Sequence, residues 1–337
     1  MATEVQASTS RQAPPLAKHL ASNEKHIRDK AVAGLRKYFS FGLSADVGLE
    51  EGDWEKDWEV EKRFEQKEML KLWQGLFYCF WMSDKPLVQQ ELAHTLSYFI
   101  LEIRSSVASE NRVRASKNAL AYIQAFWVTM GKEWSGIDKH RVDKYYLLMR
   151  YFSRQTFVFL QRENWEPRLL DGLSALLLGP AGPLSTTTDP KIPSSLCYFL
   201  SDIYLSELET SLSQTDPPSS RATPSSTLPL VHLLSPWLQV ISKSPHKKFY
   251  SQIWDNIYLP LFRCLLPTQQ PPTKKRKRDD GEDEEPWKVL IDSCTKDKAK
   301  EELGRELLQS FWRKASEGEN ETTRKWMYDS WREWDED

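Results

Sequence analysis

The chain has 337 residues, 40% of them hydrophobic, enough to bury a sizeable core in one helical array or two domains. Its four cysteines, Cys79, Cys197, Cys264 and Cys294, lie far apart with no CxxC pair, which argues against a disulfide framework or a zinc module and for a reduced intracellular compartment. The formal net charge of −2 hides a segregation of sign: ten acids against four bases over 46–68, ten bases against four acids over 104–154, and nineteen acids against ten bases over 279–337.

The N-terminus is polar and no apolar run reaches membrane-spanning length, so a soluble, unsecreted protein with no membrane partner is expected. Residues 1–13 read as disordered. Leu16, Leu20, Ile27, Ala31, Val32, Leu35 and Phe39 then repeat at helical spacing, and Ser22 or Asn23 caps a helix that begins there. Lys25, Arg28, Arg36 and Lys37 lie mostly off that stripe, which favours a solvated face over an RNA contact. Gly42, Gly48 and Gly52 punctuate an acidic connector that ends near Trp58.

Leu72–Gln90, LWQGLFYCFWMSDKPLVQQ, is the most distinctive stretch. Apolar and aromatic residues crowd both faces as far as Met82, so the helix is expected to be buried nearly all round. A tight corner follows. Ser83 or Asp84 is placed to cap the next helix, and Pro86 fits its first turn. Helical periodicity continues through Leu87–Ile103, Ala119–Met130 and Val142–Thr156, with starts near 61, 86, 112 and 138. Such even spacing suits an all-α fold, either a HEAT-like α-solenoid or an irregular array of antiparallel helices.

Trp165 and Pro167 introduce a shorter helix through Leu178, and a loop runs to about Pro193. A helix from Ser195 to about Leu212 precedes a Pro/Ser/Thr insert at about 213–227, after which helices resume at 228–243 and 245–266. The helical array thus covers 14–266. Residues 267–286 form a flexible basic and acidic linker, and 287–337 an acidic, Trp-rich helical tail with one helical segment at about 296–334. The tail either docks on the array or meets a partner through its tryptophans, and docking covers the aromatic surface. In the linker, Lys274, Lys275, Arg276, Lys277 and Arg278 suit an import receptor's acidic groove as a nuclear localisation signal, against an ordinary charged linker or an RNA contact.

No catalytic constellation stands out. Gly172, Ser174 and Leu176 miss the GxSxG elbow at its last position, and the six histidines form neither HExxH nor an i,i+4 pair. His94 is the most enzyme-like, but a surface or satisfied histidine is favoured, and Cys79 reads as core. Trp127 and Trp134 near Lys132 and Lys139 offer stacking beside a basic surface, although their place on the helical stripe favours packing between helices. No cofactor or metal is expected.

SNEKHIRDKAVAGLRKYF at 22–39, KLWQGLFYCFWMSDKPLVQQELA at 71–93 and FWVTMGKEWSGIDKHRVDKYYLLMR at 126–150 together resemble the ribosomal RNA-processing protein 1 family. The resemblance is strong from about 16 to 165. It implies a non-catalytic, all-helical scaffold in the nucleolus, bound to pre-60S particles with other large-subunit assembly factors and needed for processing of 27S-type pre-rRNA. It supplies no catalytic residues. The basic segment is compatible with rRNA contact, and Lys139, Arg141, Lys144, Arg150 and Arg154 are the candidate phosphate contacts. The competing reading is an α-solenoid nuclear transport or protein-binding adaptor.

Overall fold

A computed structural model describes residues 15–41, 54–105, 112–185, 189–214, 227–244, 246–266, 286–318 and 320–334. The expectations for residues 1–13, for 215–226 of the insert and for 267–285 of the linker lie outside the described residues. Among the described residues there is no strand. The helices are α1 (Pro15–Leu20), α2 (Lys25–Phe41), α3 (Trp54–Trp81), α4 (Pro86–Ser105), α5 (Arg112–Glu133), α6 (Val142–Arg162), α7 (Pro167–Leu178), α8 (Ser194–Ser213), α9 (Leu230–Lys243), α10 (Lys247–Ile253), α11 (Leu259–Leu265), α12 (Lys288–Cys294), α13 (Lys300–Glu317) and α14 (Glu321–Arg332). A π-helical turn, Trp254–Tyr258, joins α10 to α11.

These helices stack in two rows. In one, α1, α3, α5, α7 and α9 pack in succession; in the other, α2, α4, α6 and α8 do so and the π turn continues the row. Contacts of α1 with α2 and of α4 with α5 join the rows. The all-α, repeat-like array expected from the even spacing is therefore what the chain forms.

The reason for the stacking is visible in α3. Trp73, Leu76, Phe77 and Phe80 recur three or four residues apart, which puts them on one helical face, and all four are buried. Trp73 meets Tyr122 of α5 at 5.1 Å between ring centroids, Phe126 at 5.0 Å and Phe152 of α6 at 5.3 Å. Edge-to-face and tilted pairs of this kind add to the gain from burial. The expectation that α3 is buried nearly all round holds only in part. Lys71, Gln74 and Tyr78 share an open stripe, and Tyr78 is 44% exposed.

Three boundaries differ from the periodicity reading. Helix α3 starts at Trp54, inside the acidic stretch expected to be a connector. Helix α6 starts at Val142 rather than near 138, because the Asp138 carboxylate accepts from the backbone N–H of His140 at 2.9 Å and of Arg141 at 3.1 Å, closing a local turn before the helix. The tail's expected segment at about 296–334 is two helices, α13 and α14, and a third, α12, precedes it. Asn320 divides the last two by accepting from Thr323 N at 3.1 Å as an N-cap.

The tail docks on the array. Phe311 of α13 sits against Trp254 at 5.3 Å and Tyr258 at 5.4 Å, the two ends of the π turn. Gly304 lets α13 approach α11 closely, since a Cβ there would lie 2.6 Å from Leu266 Cδ2. Glu209 at the end of α8 accepts from Val289 N at 3.0 Å and Leu290 N at 2.7 Å, satisfying free amides at the start of α12. Trp312 remains 43% exposed.

Candidate functional site

The corner between α3 and α4 is held by two cations from distant parts of the chain. The last carbonyls of a helix lack intrahelical partners and carry the negative end of its dipole, so a cation there is favoured. Arg28 of α2 is buried, and its guanidinium donates to Ser22 O and Asn23 O at 2.9 Å and to Met82 O at 3.4 Å. Lys144 of α6 is buried as well, donating through Nζ to Trp81 O at 2.6 Å and Ser83 O at 2.8 Å. Burial pushes the Lys144 ammonium down to about 8, with the Asp84 charge opposing the shift.

Three expectations are corrected here. Arg28 does not belong to a solvated face, because the carbonyls of Ser22 and Asn23 before α2, with Met82 O of the corner, take it inward. The Ser83 hydroxyl donates back to Phe80 O at 2.7 Å, serving the end of α3 rather than the start of α4. Ser22 closes the turn before α2 rather than capping the helix: its Oγ accepts from Glu24 N at 3.2 Å, and Glu24 O accepts from Arg28 N at 3.3 Å.

The five candidate phosphate contacts separate into four kinds. Lys139 is exposed on the turn before α6. Arg141 is half-exposed, ion-paired with Asp138, and lies 4.7 Å over the Trp81 ring. That pairing holds the Asp138 carboxyl below its ordinary value. Lys144 is inside the corner and leaves the set of surface contacts, since its ammonium is committed to two carbonyls. Arg150 and Arg154 come together on Glu207 of α8, Arg150 Nη1 to Oε1 at 2.8 Å and Arg154 Nη2 to Oε2 at 2.7 Å. The localisation cluster Lys274, Lys275, Arg276, Lys277 and Arg278 lies outside the described residues.

Trp127 and Trp134 are buried, and Trp134 Nε1 donates to Ser195 Oγ at 2.9 Å, so both serve helix packing rather than an open stacking surface. Burial raises the thiols of Cys79 to about 11 and of Cys197 and Cys294 to about 12, which disfavours the reactive thiolate at all three. His94 is exposed and stacks on Tyr98 with centroids 5.8 Å apart. Glu207 was not among the sequence candidates. Its neighbours Leu205 and Leu208 mark it only as part of an apolar helix, and nothing local to it shows two arginines arriving from α6.

The chain matches the family described as "Nucleolar protein, Nop52" over residues 11–330. It is 38% identical over 196 residues to Ribosomal RNA processing protein 1 homolog B of Homo sapiens, covering 57% of this chain and 22% of that protein. To Ribosomal RNA processing protein 1 homolog A of Homo sapiens it is 38% identical over 170 residues, 50% of this chain and 32% of the relative. With the Drosophila melanogaster Ribosomal RNA processing protein 1 homolog it shares 30% identity over 190 residues, 56% and 23% of the two chains. The matched stretch covers less than a third of the length of each of these three relatives.

Proposed function

The chain belongs to the Nop52 family of nucleolar proteins, and from that premise we propose that it is a non-catalytic scaffold for assembly of the large ribosomal subunit. Its compartment is the nucleolus. On this reading the two-row array, taken as a HEAT-like solenoid, joins pre-60S particles, touches pre-rRNA and other large-subunit assembly factors, and supports maturation of 27S-type precursors. The family match over residues 11–330 carries the proposal, and the relatives' names, which specify ribosomal RNA processing, support it. Lys139, Arg141, Arg150 and Arg154, all on or just before α6, supply the cations for rRNA phosphates. Lys274–Arg278 serves as the segment that an import receptor reads.

Crosslinking the protein within purified nucleolar particles, with both RNA and protein neighbours identified, tests this reading. Expected are rRNA crosslinks on the α6 side of the array and protein crosslinks to large-subunit assembly factors. Recovery of import receptors with diverse cargo, and of no ribosomal precursor, overturns the scaffold in favour of a transport adaptor.

A further inference from the structure

One run of side chains across α4, α6 and α8 combines a buried acid, two partly exposed arginines and three rings. The Glu207 side chain is only 1% exposed, whereas Arg150 and Arg154 above it are 43% and 21% exposed. Arg150 reaches one carboxylate oxygen through Nη1 at 2.8 Å, and Arg154 reaches the other through Nε at 2.7 Å. One carboxylate beneath two guanidiniums leaves an excess positive charge. Because a guanidinium carries five N–H donors in a rigid planar fork, each arginine keeps donors beyond those spent on Glu207. The Arg154 guanidinium lies 5.4 Å over the Tyr151 ring. Tyr151 meets His94 edge-to-face at 6.0 Å, and His94 stacks on Tyr98 with only 13° between the planes.

We propose that this run binds one nucleotide step of single-stranded RNA, with Arg150 and Arg154 gripping the phosphate and the adjoining base stacking on the exposed His94 ring, which Tyr151 meets edge-to-face. Glu207 is the positioning residue: it fixes both forks in the orientation that the phosphate needs. The proposal rests on the RNA-contact reading of α6 and assigns it a place and a mode. An acidic peptide would engage the arginines but make no use of flat rings beside them, whereas a nucleotide offers a phosphate and a π-face together. Single-strandedness follows because bases in a duplex already stack on one another and cannot reach a side chain.

The role of Glu207 makes the proposal sharply testable, since charge and positioning predict opposite signs. Removing an anion from a phosphate site should tighten RNA binding if charge alone governs it; losing the orientation of two arginines should weaken it. The experiment measures binding of the full chain to a labelled single-stranded RNA of mixed sequence by fluorescence anisotropy across a salt series, with thermal melting to check folding. His94→Ala should weaken binding about tenfold with an unchanged salt slope, as expected for a lost stacking contact. Arg150→Gln should weaken binding and lower the slope by about one. Glu207→Gln should weaken binding and lower the slope despite raising the formal charge of the site.

If Glu207→Gln binds RNA as well as or better than the parent, the positioning role is overturned. Should that variant fail to fold, His94→Ala decides the matter, with weaker binding supporting the site and unchanged binding overturning it. Wild-type RNA binding that survives every substitution sinks this site and leaves the broader RNA reading standing. Absence of binding by the wild-type chain removes both. Equal displacement of the RNA by a polyglutamate peptide would identify an acidic protein as the occupant and overturn the proposal.

Discussion

Lys144 has its charge where water cannot easily reach it, and its protonation is therefore tied to folding. Its ordinary value is 10.5 and its folded value about 8, the depressed case for a base. The unfolded chain binds the extra proton between those values, so stability rises with pH in that window. The contribution is complete above 10.5 and is lost as pH falls through about 8. The neutral amine retains two N–H donors for Trp81 O and Ser83 O, so deprotonation need not empty the corner. Lys144→Met should destabilise the fold by about 1–3 kcal/mol, because the Trp81 carbonyl loses its lysine donor and the Ser83 carbonyl keeps only Gln89 Nε2. The gap between wild type and variant should widen from pH 8 to pH 10 in denaturant titrations; a gap independent of pH would refute the linkage. At this scale the sequence shows that residue 144 is a lysine on a helix and suggests phosphate contact. What it does not show is the end of another helix waiting for a cation, and the same gap hides Arg28.

At the scale of elements, the docking of α13 depends on a missing side chain. Gly304 faces Leu266 with no room for a Cβ, and Leu265 Cβ stands 3.1 Å from where one would lie. Gly304→Val should push α13 off α11 at a cost of about 1–3 kcal/mol. Hydrogen exchange should then show the amides of 300–317 losing protection while those of α4 and α6 keep theirs. Retained protection in α13 would mean that the two leucines can yield. Helix existence and type were legible along the described chain because apolar residues recur every three or four positions. Boundaries were less so where a polar side chain acts on nearby backbone. Asp138 delays α6, Asn320 restarts the tail, and Ser83 serves the helix before it rather than the one after. Pro86 was placed in the first turn of α4, where a missing N–H costs nothing, and it is the first residue there.

For the whole molecule, the charge blocks are not a map of the surface. Of the bases counted between 104 and 154, Lys144 is inside the corner and Arg150 and Arg154 rest on a buried acid, while Lys139 stands open. The family was legible from three stretches whose residues mostly build the core and its corners. The RNA-facing candidates were legible only as a charge excess, because burial and pairing are decided between rows of helices that the linear order separates.

The grip on the α3–α4 corner also sets an order of events during synthesis. Lys144 lies 63 residues after Trp81 and 61 after Ser83, whose carbonyls it serves. Arg28 has already left the ribosome when Met82 appears, so the corner is half-secured early and completed late. Nascent chains stalled before Lys144 emerges should be cut readily at residues 82–86 in a brief protease pulse, and chains stalled well beyond α6 should resist. Equal resistance at both lengths would show that Arg28 alone closes the corner. The stretch that most clearly identifies the chain would then be among the first parts made and, on the outcome expected here, among the later ones to become fixed.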